Sequence, residues 1–162
     1  MVELKRMGSC ARRAWERGVE SQRSSAVSRP TVTTGHLLLG VLREDACAGG
    51  LILARLRLDL AWAGKVTEFV LLYGRRRGPE EASSEEWGGV PHTKAAKTVL
   101  DLCDEEANFF SPTYPIGTEH LLLAMLRVPD STAYRLLHYF ALDEDRVRAA
   151  RDELWALLHS AE

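Results

Sequence analysis

Two histidines are the first residues whose surroundings suggest chemistry. His36 lies in Thr34-Gly35-His36-Leu37-Leu38-Leu39, and His120 lies in Thr118-Glu119-His120-Leu121-Leu122-Leu123. An imidazole can act as general base, proton shuttle or metal ligand. A base needs a nucleophile and an orienting partner, and no Ser/His/Asp or Cys/His set stands where the chain's organisation assembles one. Each His instead follows a threonine by two residues at the head of a short apolar helix, where a ring nitrogen can satisfy a helix end. Its recurrence fits a structural role. Cys10, Cys47 and Cys103 form no Cys-x-x-Cys pair and are odd in number, so they read as inert thiols rather than a disulfide framework or a zinc site. The Gly64-Lys65 pair is not a phosphate loop: Asp59 stands where the first glycine belongs, and Val66 where Ser or Thr would ligate magnesium. These residues imply no catalytic group, no metal and no cofactor.

The motif that carries the histidines is written twice, 84 residues apart, and over 32–59 the two copies align without a gap with ten of 28 positions identical. This period is far longer than that of solenoid repeats, which marks a duplicated small domain. Leu and Ala dominate, and no β-alternating run of useful length appears, so the fold class is all-α. In the second copy, Thr93 caps a helix with Ala96, Val99, Leu100, Cys103, Ala107 and Phe110 on one face. That helix stops before Pro112. Thr118 caps a second helix that ends at Pro129, a third runs from Ser131 to Tyr139, and Asp143 opens a fourth. The first copy gives helices over 3–20, 34–43, 48–55 and 59–73, the first weakened by Gly8 and Gly18. The expected architecture is therefore two tandem pseudo-symmetric four-helix repeats, at 1–73 and 91–162, packed together. Residues 74–90, with Arg75-Arg76-Arg77, acidic pairs and Gly88-Gly89, read as an exposed linker whose Trp87 packs back onto a repeat.

The chain has 162 residues, is 46% hydrophobic and carries a net charge of −2, which offers no basic field for nucleic acid. No apolar run is long enough to span a membrane, and no secretory segment is evident, so a cytoplasmic monomer is expected.

Ile116-Gly117-Thr118-Glu119-His120-Leu121-Leu122-Leu123, preceded by Thr93-Lys94-Ala95-Ala96-Lys97 and Glu105-Glu106-Ala107, resembles the Clp N-terminal repeat of Clp-family AAA+ unfoldases. The resemblance is strongest over 91–150 and looser over 1–73. It implies a non-catalytic module, of bacterial type, that receives substrates or adaptors. The ATPase modules that usually follow are absent from this sequence, so it reads as a free-standing Clp-N-like protein or an excised domain; Met1 and the polar Ser160-Ala161-Glu162 tail favour the former. The implied partners are Clp ATPase or protease components, adaptor proteins and unfolded or tagged substrates, and the implied role is adaptor or decoy. The alternative is a small helical nucleic-acid-binding or regulatory module, motivated by Arg75-Arg76-Arg77.

The resemblance also implies a ligand. In some family members the Glu of this motif and the Thr heading the first helix of a repeat bind phosphorylated arginine. Carried over, Thr93 and Glu119 match, with Thr118 beside them, as a phosphoarginine or peptide site. Anions suit helix N-termini, and a carboxylate pairs with a guanidinium. In the first repeat, Ser9 is an approximate match and Gly35 removes the acid, so at most one competent site is expected, with Glu119 a surface recognition residue. Of Phe109, Phe110, Tyr114, Tyr134, Tyr139 and Phe140, most read as core or repeat-interface residues, and the remaining few suit a groove for peptide segments.

Overall fold

The computed structural model describes residues 4–24, 31–74, 80, 84–109 and 112–160. Arg75-Arg76-Arg77 and Phe110 lie outside the described residues.

Eight α-helices appear among the described residues: α1 (Ser9–Ser24), α2 (Thr34–Arg43), α3 (Ala48–Arg55), α4 (Leu60–Tyr73), α5 (Lys94–Asn108), α6 (Thr118–Met125), α7 (Thr132–Tyr139) and α8 (Glu144–Ser160). The two repeats therefore correspond helix for helix. Between α4 and α5, strands β1 (Glu85–Trp87) and β2 (Val90–His92) form an antiparallel hairpin with Trp87 opposite Val90. Its turn, Gly88-Gly89, needs positive φ at both residues (59° and 76°), which glycine adopts without strain.

The helix boundaries follow from capping. Thr33, Asp59, Thr93 and Ser131 each turn a side-chain oxygen onto an amide of the following first turn. The caps of α2 and α6 sit one residue earlier than the sequence suggests. Thr33 and Gly117 are the capping residues, and Thr34 and Thr118 are the first helical residues, with their hydroxyls free for other use. α1 begins at Ser9 rather than near residue 3 because Leu4–Arg6 form a separate 3-10 turn and the next two residues pair with Ile116: Met7 bridges it, and the Gly8 amide donates to the Ile116 carbonyl at 2.9 Å. The hairpin end makes the equivalent link, with Thr93 N donating to Val32 O at 2.9 Å.

Every residue of α6 is buried, as are residues 34–42 of α2, which is what Leu-rich helices apolar on all sides require. These two helices touch each other at the centre, and each also packs against helices of the other repeat: α2 against α5 and α7, α6 against α1 and α3. The repeats thus interlock around one core. α1 crosses α2 so closely that a Cβ on Gly18 would stand 2.8 Å from the His36 carbonyl oxygen, and one on Gly40 would stand 1.9 Å from that of Ala14. The glycine that weakens α1 as a helix is what lets it dock.

Two expectations need correction. Cys10 and Cys47 are joined in a disulfide, Cα–Cα 6.0 Å, pinning α1 to the N-cap of α3; only Cys103 is a free buried thiol. Sequence spacing gave no sign of it because the pair is made by helix packing. The stretch read as an exposed linker is not wholly exposed either: Glu80 and Trp87 are 1% and 3% exposed. Trp87 packs edge-on against Trp15 at 5.3 Å, and the Trp15 indole N–H donates to His92 Nε2 at 3.1 Å. Trp87 thus packs back onto the first repeat, as its apolar character in a polar stretch suggests.

Candidate functional site

His36 and His120 are capping groups. His36 Nδ1 accepts the Thr33 amide at 3.0 Å, completing a capping box with the Thr33 hydroxyl, and His120 Nδ1 accepts the Gly117 amide at 2.9 Å, the half of that box a glycine N-cap allows. The second imidazole is 1% exposed, and burial lowers its pKa to about 4, so it is neutral through the physiological range. His36 borders an open groove with Arg17, Arg43 and Glu68, whose charges are engaged by neighbours: Arg17 with Glu44, and Arg43 with Glu68.

Thr34 and Thr118 each cap a helix of the opposite repeat. The Thr118 hydroxyl accepts the Gly49 amide of α3 at 2.8 Å, and the Thr34 hydroxyl accepts the Ala133 amide of α7 at 3.0 Å. Both pairs keep the 84-residue offset, so the duplication is reciprocal at atomic level. Two junctions result. The first gathers the N-termini of α2, α5 and α7; the second gathers those of α1, α3 and α6.

Thr93 and Glu119 fall in different junctions. Thr93 caps α5 in the first, its hydroxyl donating to Glu80 Oε2 at 2.6 Å. Glu119 lies in the second, directly after Thr118, whose hydroxyl holds the Gly49 amide of α3 there. The link that brings α1 into the second junction is the Gly8–Ile116 hydrogen bond, three residues before Glu119, so this junction includes a helix N-terminus of the first repeat.

Glu119 is also buried, 4% exposed, rather than a surface residue. Its carboxylate folds back over the start of its own helix, so that a Cβ on Gly117 would come within 2.2 Å of Oε2. Burial raises its pKa, and its own backbone amide and the Arg151 charge pull the other way. Gly117 leaves room for this carboxylate. The counterpart Gly35 has no such room above it, because a Cβ there would meet Leu71 Cδ2 at 2.8 Å and Thr132 Cγ2 at 3.0 Å.

Sequence reasoning missed Glu80 altogether. It supplies the first junction with the acid that Gly35 lacks. Its carboxylate accepts from Thr34 N at 3.1 Å, from Thr132 N at 3.3 Å, and from the hydroxyls of Thr34 and Thr93. Nothing in an acidic pair within a polar stretch distinguishes it.

A second missed feature is the surface of α4. This helix is apolar yet buries only Ala63 and Thr67, leaving Phe69 63% and Tyr73 72% exposed, with Trp62 stacked on the exposed Tyr139. The 84-residue offset could have revealed it: the α8 counterparts of Trp62 and Phe69 are the exposed Arg146 and Glu153. Of the aromatic residues expected near the second repeat, Phe109 and Tyr139 are exposed, Phe140 is buried, and Tyr114 and Tyr134 are half-buried.

Comparison with known proteins agrees with this architecture. The N-terminal domain of the chaperone ClpD from Arabidopsis thaliana superposes with a TM-score of 0.70 at 20% identity, covering 96% of this chain and 97% of that one, which establishes the likeness of fold. Among curated proteins, a ClpA homologue of Guillardia theta, an ATP-binding subunit of the ATP-dependent Clp protease, is 35% identical over 117 residues. The chloroplastic chaperone ClpC of Pisum sativum is 32% identical over 117 residues. Each alignment covers 72% of this chain but only 13% and 12% of the relative, so the chain spans a small part of the proteins it matches. The model of the Clp repeat (R) N-terminal domain matches residues 20–140, about three quarters of the sequence, and the chain belongs to that family.

Proposed function

We propose that this protein is a non-catalytic recognition module that binds polypeptides, either substrates or adaptors of a Clp machine, and modulates a Clp protease as adaptor or decoy. The observation that carries this reading is the aromatic face of α4. The duplication supplies an internal control: α8 holds the same place in the other repeat with Arg146 and Glu153 at the positions of Trp62 and Phe69, so the fold does not require aromatic residues there. Aromatic side chains left as exposed as Phe69 and Tyr73 carry a solubility cost and suit apolar segments of a partner chain. Co-purification from cell extract tests it. Wild type is expected to enrich a Clp ATPase, an adaptor or a client over the Trp62→Ser/Phe69→Ser/Tyr73→Ser variant. Equal recovery from both, with the variant folded, would remove the basis for the proposal.

Binding of phosphorylated arginine is a second reading, supported by the Gly8–Ile116 hydrogen bond, which ties the start of α1 to the motif that carries Glu119. There the first-turn amides of α1 would take the phosphate and the carboxylate would take the guanidinium. Thr118 shapes this junction through Gly49, whereas Thr93 stands in the other one. Calorimetry with free phosphoarginine is expected to show binding that is lost in Glu119→Ala and kept in Thr93→Ala; no heat at millimolar ligand would exclude it.

A further inference from the structure

Three helix N-termini from both halves of the molecule converge on one buried carboxylate. Glu80 Oε1 receives Thr34 N, the first amide of α2, at 3.1 Å and Thr132 N, the first amide of α7, at 3.3 Å; Oε2 receives the hydroxyl of Thr93, the N-cap of α5, at 2.6 Å. The Thr34 hydroxyl donates to Oε1 as well. The direction of each bond is fixed by chemistry. The Thr34 hydroxyl accepts from Ala133 N at 3.0 Å and the Thr93 hydroxyl from Ala96 N at 3.2 Å, and because a carboxylate only accepts, each hydroxyl gives its own hydrogen to Glu80. Four donors therefore point at one spot, and three helix dipoles present their positive ends to it. This is an oxyanion receptor, and a group that could only donate would leave the junction unsatisfied.

We propose that the junction of α2, α5 and α7 is an oxyanion-binding site for which Glu80 is the internal ligand, so that external phosphate enters it only when Glu80 is removed. The inference does not rest on the phosphoarginine reading, which concerns the other junction. It implies that the two junctions of this duplicated fold are unequal: one is filled by an acid from the connecting segment, and the other holds Glu119 at the edge of its own helix. It also implies that Thr93, despite matching the family motif, is unavailable to a ligand in the native chain.

Glu80→Ala in the full chain tests this by rescue. In chloride buffer, its Tm is expected to fall by roughly 5 °C or more relative to wild type. Inorganic phosphate at matched ionic strength should restore it saturably, while wild type stays within a degree over the same range. Glu80→Asp keeps a carboxylate on a shorter stem and should lose less and ignore phosphate. An unchanged Tm in Glu80→Ala, or an equal phosphate effect on wild type and variant, overturns the proposal. If Glu80→Ala does not fold in chloride, refolding in phosphate supports the site, and failure in both buffers refutes it.

Discussion

The hydroxyl of Thr118 accepts the amide of Gly49 at 2.8 Å, and 84 residues away in both partners Thr34 does the same for Ala133 at 3.0 Å. Each repeat therefore caps the third helix of the other. A buried amide that loses its acceptor costs about 1–3 kcal/mol. Thr118→Val, nearly isosteric, is expected to lower unfolding free energy by that amount. Thr34→Val should cost more, because its hydroxyl also donates to Glu80. Urea unfolding of the two single variants and the double variant checks this, and equal effects at both sites would mean that Glu80 adds nothing at Thr34.

The tandem repeats and the eight helices are legible in the sequence because each is stated locally, by apolar spacing, caps and a repeated motif. What escaped is what packing alone decides. Nothing along the chain says that Thr93 will face Val32 rather than Glu119, since helices of one repeat present their ends to the other. Likewise Glu80 is one acid among several, and its role exists only where three helices meet. The repeat offset held a further clue that local reading passed over: Trp62 and Phe69 stand where Arg146 and Glu153 keep the equivalent surface charged.

The Cys10–Cys47 disulfide closes a loop with a sequence separation of 37 and ties α1 to the N-cap of α3. By loop entropy, such a cross-link stabilises by about 4 kcal/mol, and typical measured values are 2–4. Adding a reductant, or making Cys10→Ser/Cys47→Ser, is expected to shift the urea midpoint downward by an amount in that range, with the variant insensitive to reductant. Mass spectrometry after alkylation should find two blocked cysteines and one thiol, Cys103, that reacts only on unfolding. In a reducing compartment the same bond would make stability responsive to redox state.

His120 makes stability fall in acid. Burial lowers its pKa from 6.5 to about 4, so between those values the unfolded chain binds a proton that the folded chain refuses. Its contribution is therefore complete above pH 6.5 and lost as pH drops toward 4, by roughly 3 kcal/mol in all. The Glu119 carboxyl, its pKa raised mainly by burial, acts in the opposite sense: stability falls as pH rises from the ordinary glutamate range through its folded value. The difference between wild type and His120→Gln isolates the imidazole, since Gln can still reach back to the Gly117 amide. The variant is expected to lose less stability than wild type from pH 7 to pH 4.5; parallel curves would show that His120 does not titrate in that window.

Gly35 stands where the family motif carries its acid, and the structure makes that departure hard to reverse. A Cβ there would lie 2.8 Å from Leu71 Cδ2 and 3.0 Å from Thr132 Cγ2, where the leucine can swing but the threonine is held beside the α7 N-cap. The carboxylate of a Gly35→Glu side chain would also enter the region of Glu80, and two like charges in one buried junction repel. Gly35→Ala is expected to cost about 1–3 kcal/mol through overpacking, and Gly35→Glu more. Pairing Gly35→Glu with Glu80→Ala should recover part of the loss, because a single acid would again serve the donors of α2, α5 and α7. Thermal unfolding of the three variants decides this: a double variant no more stable than Gly35→Glu alone would show that steric crowding, and not charge, sets the limit at this position.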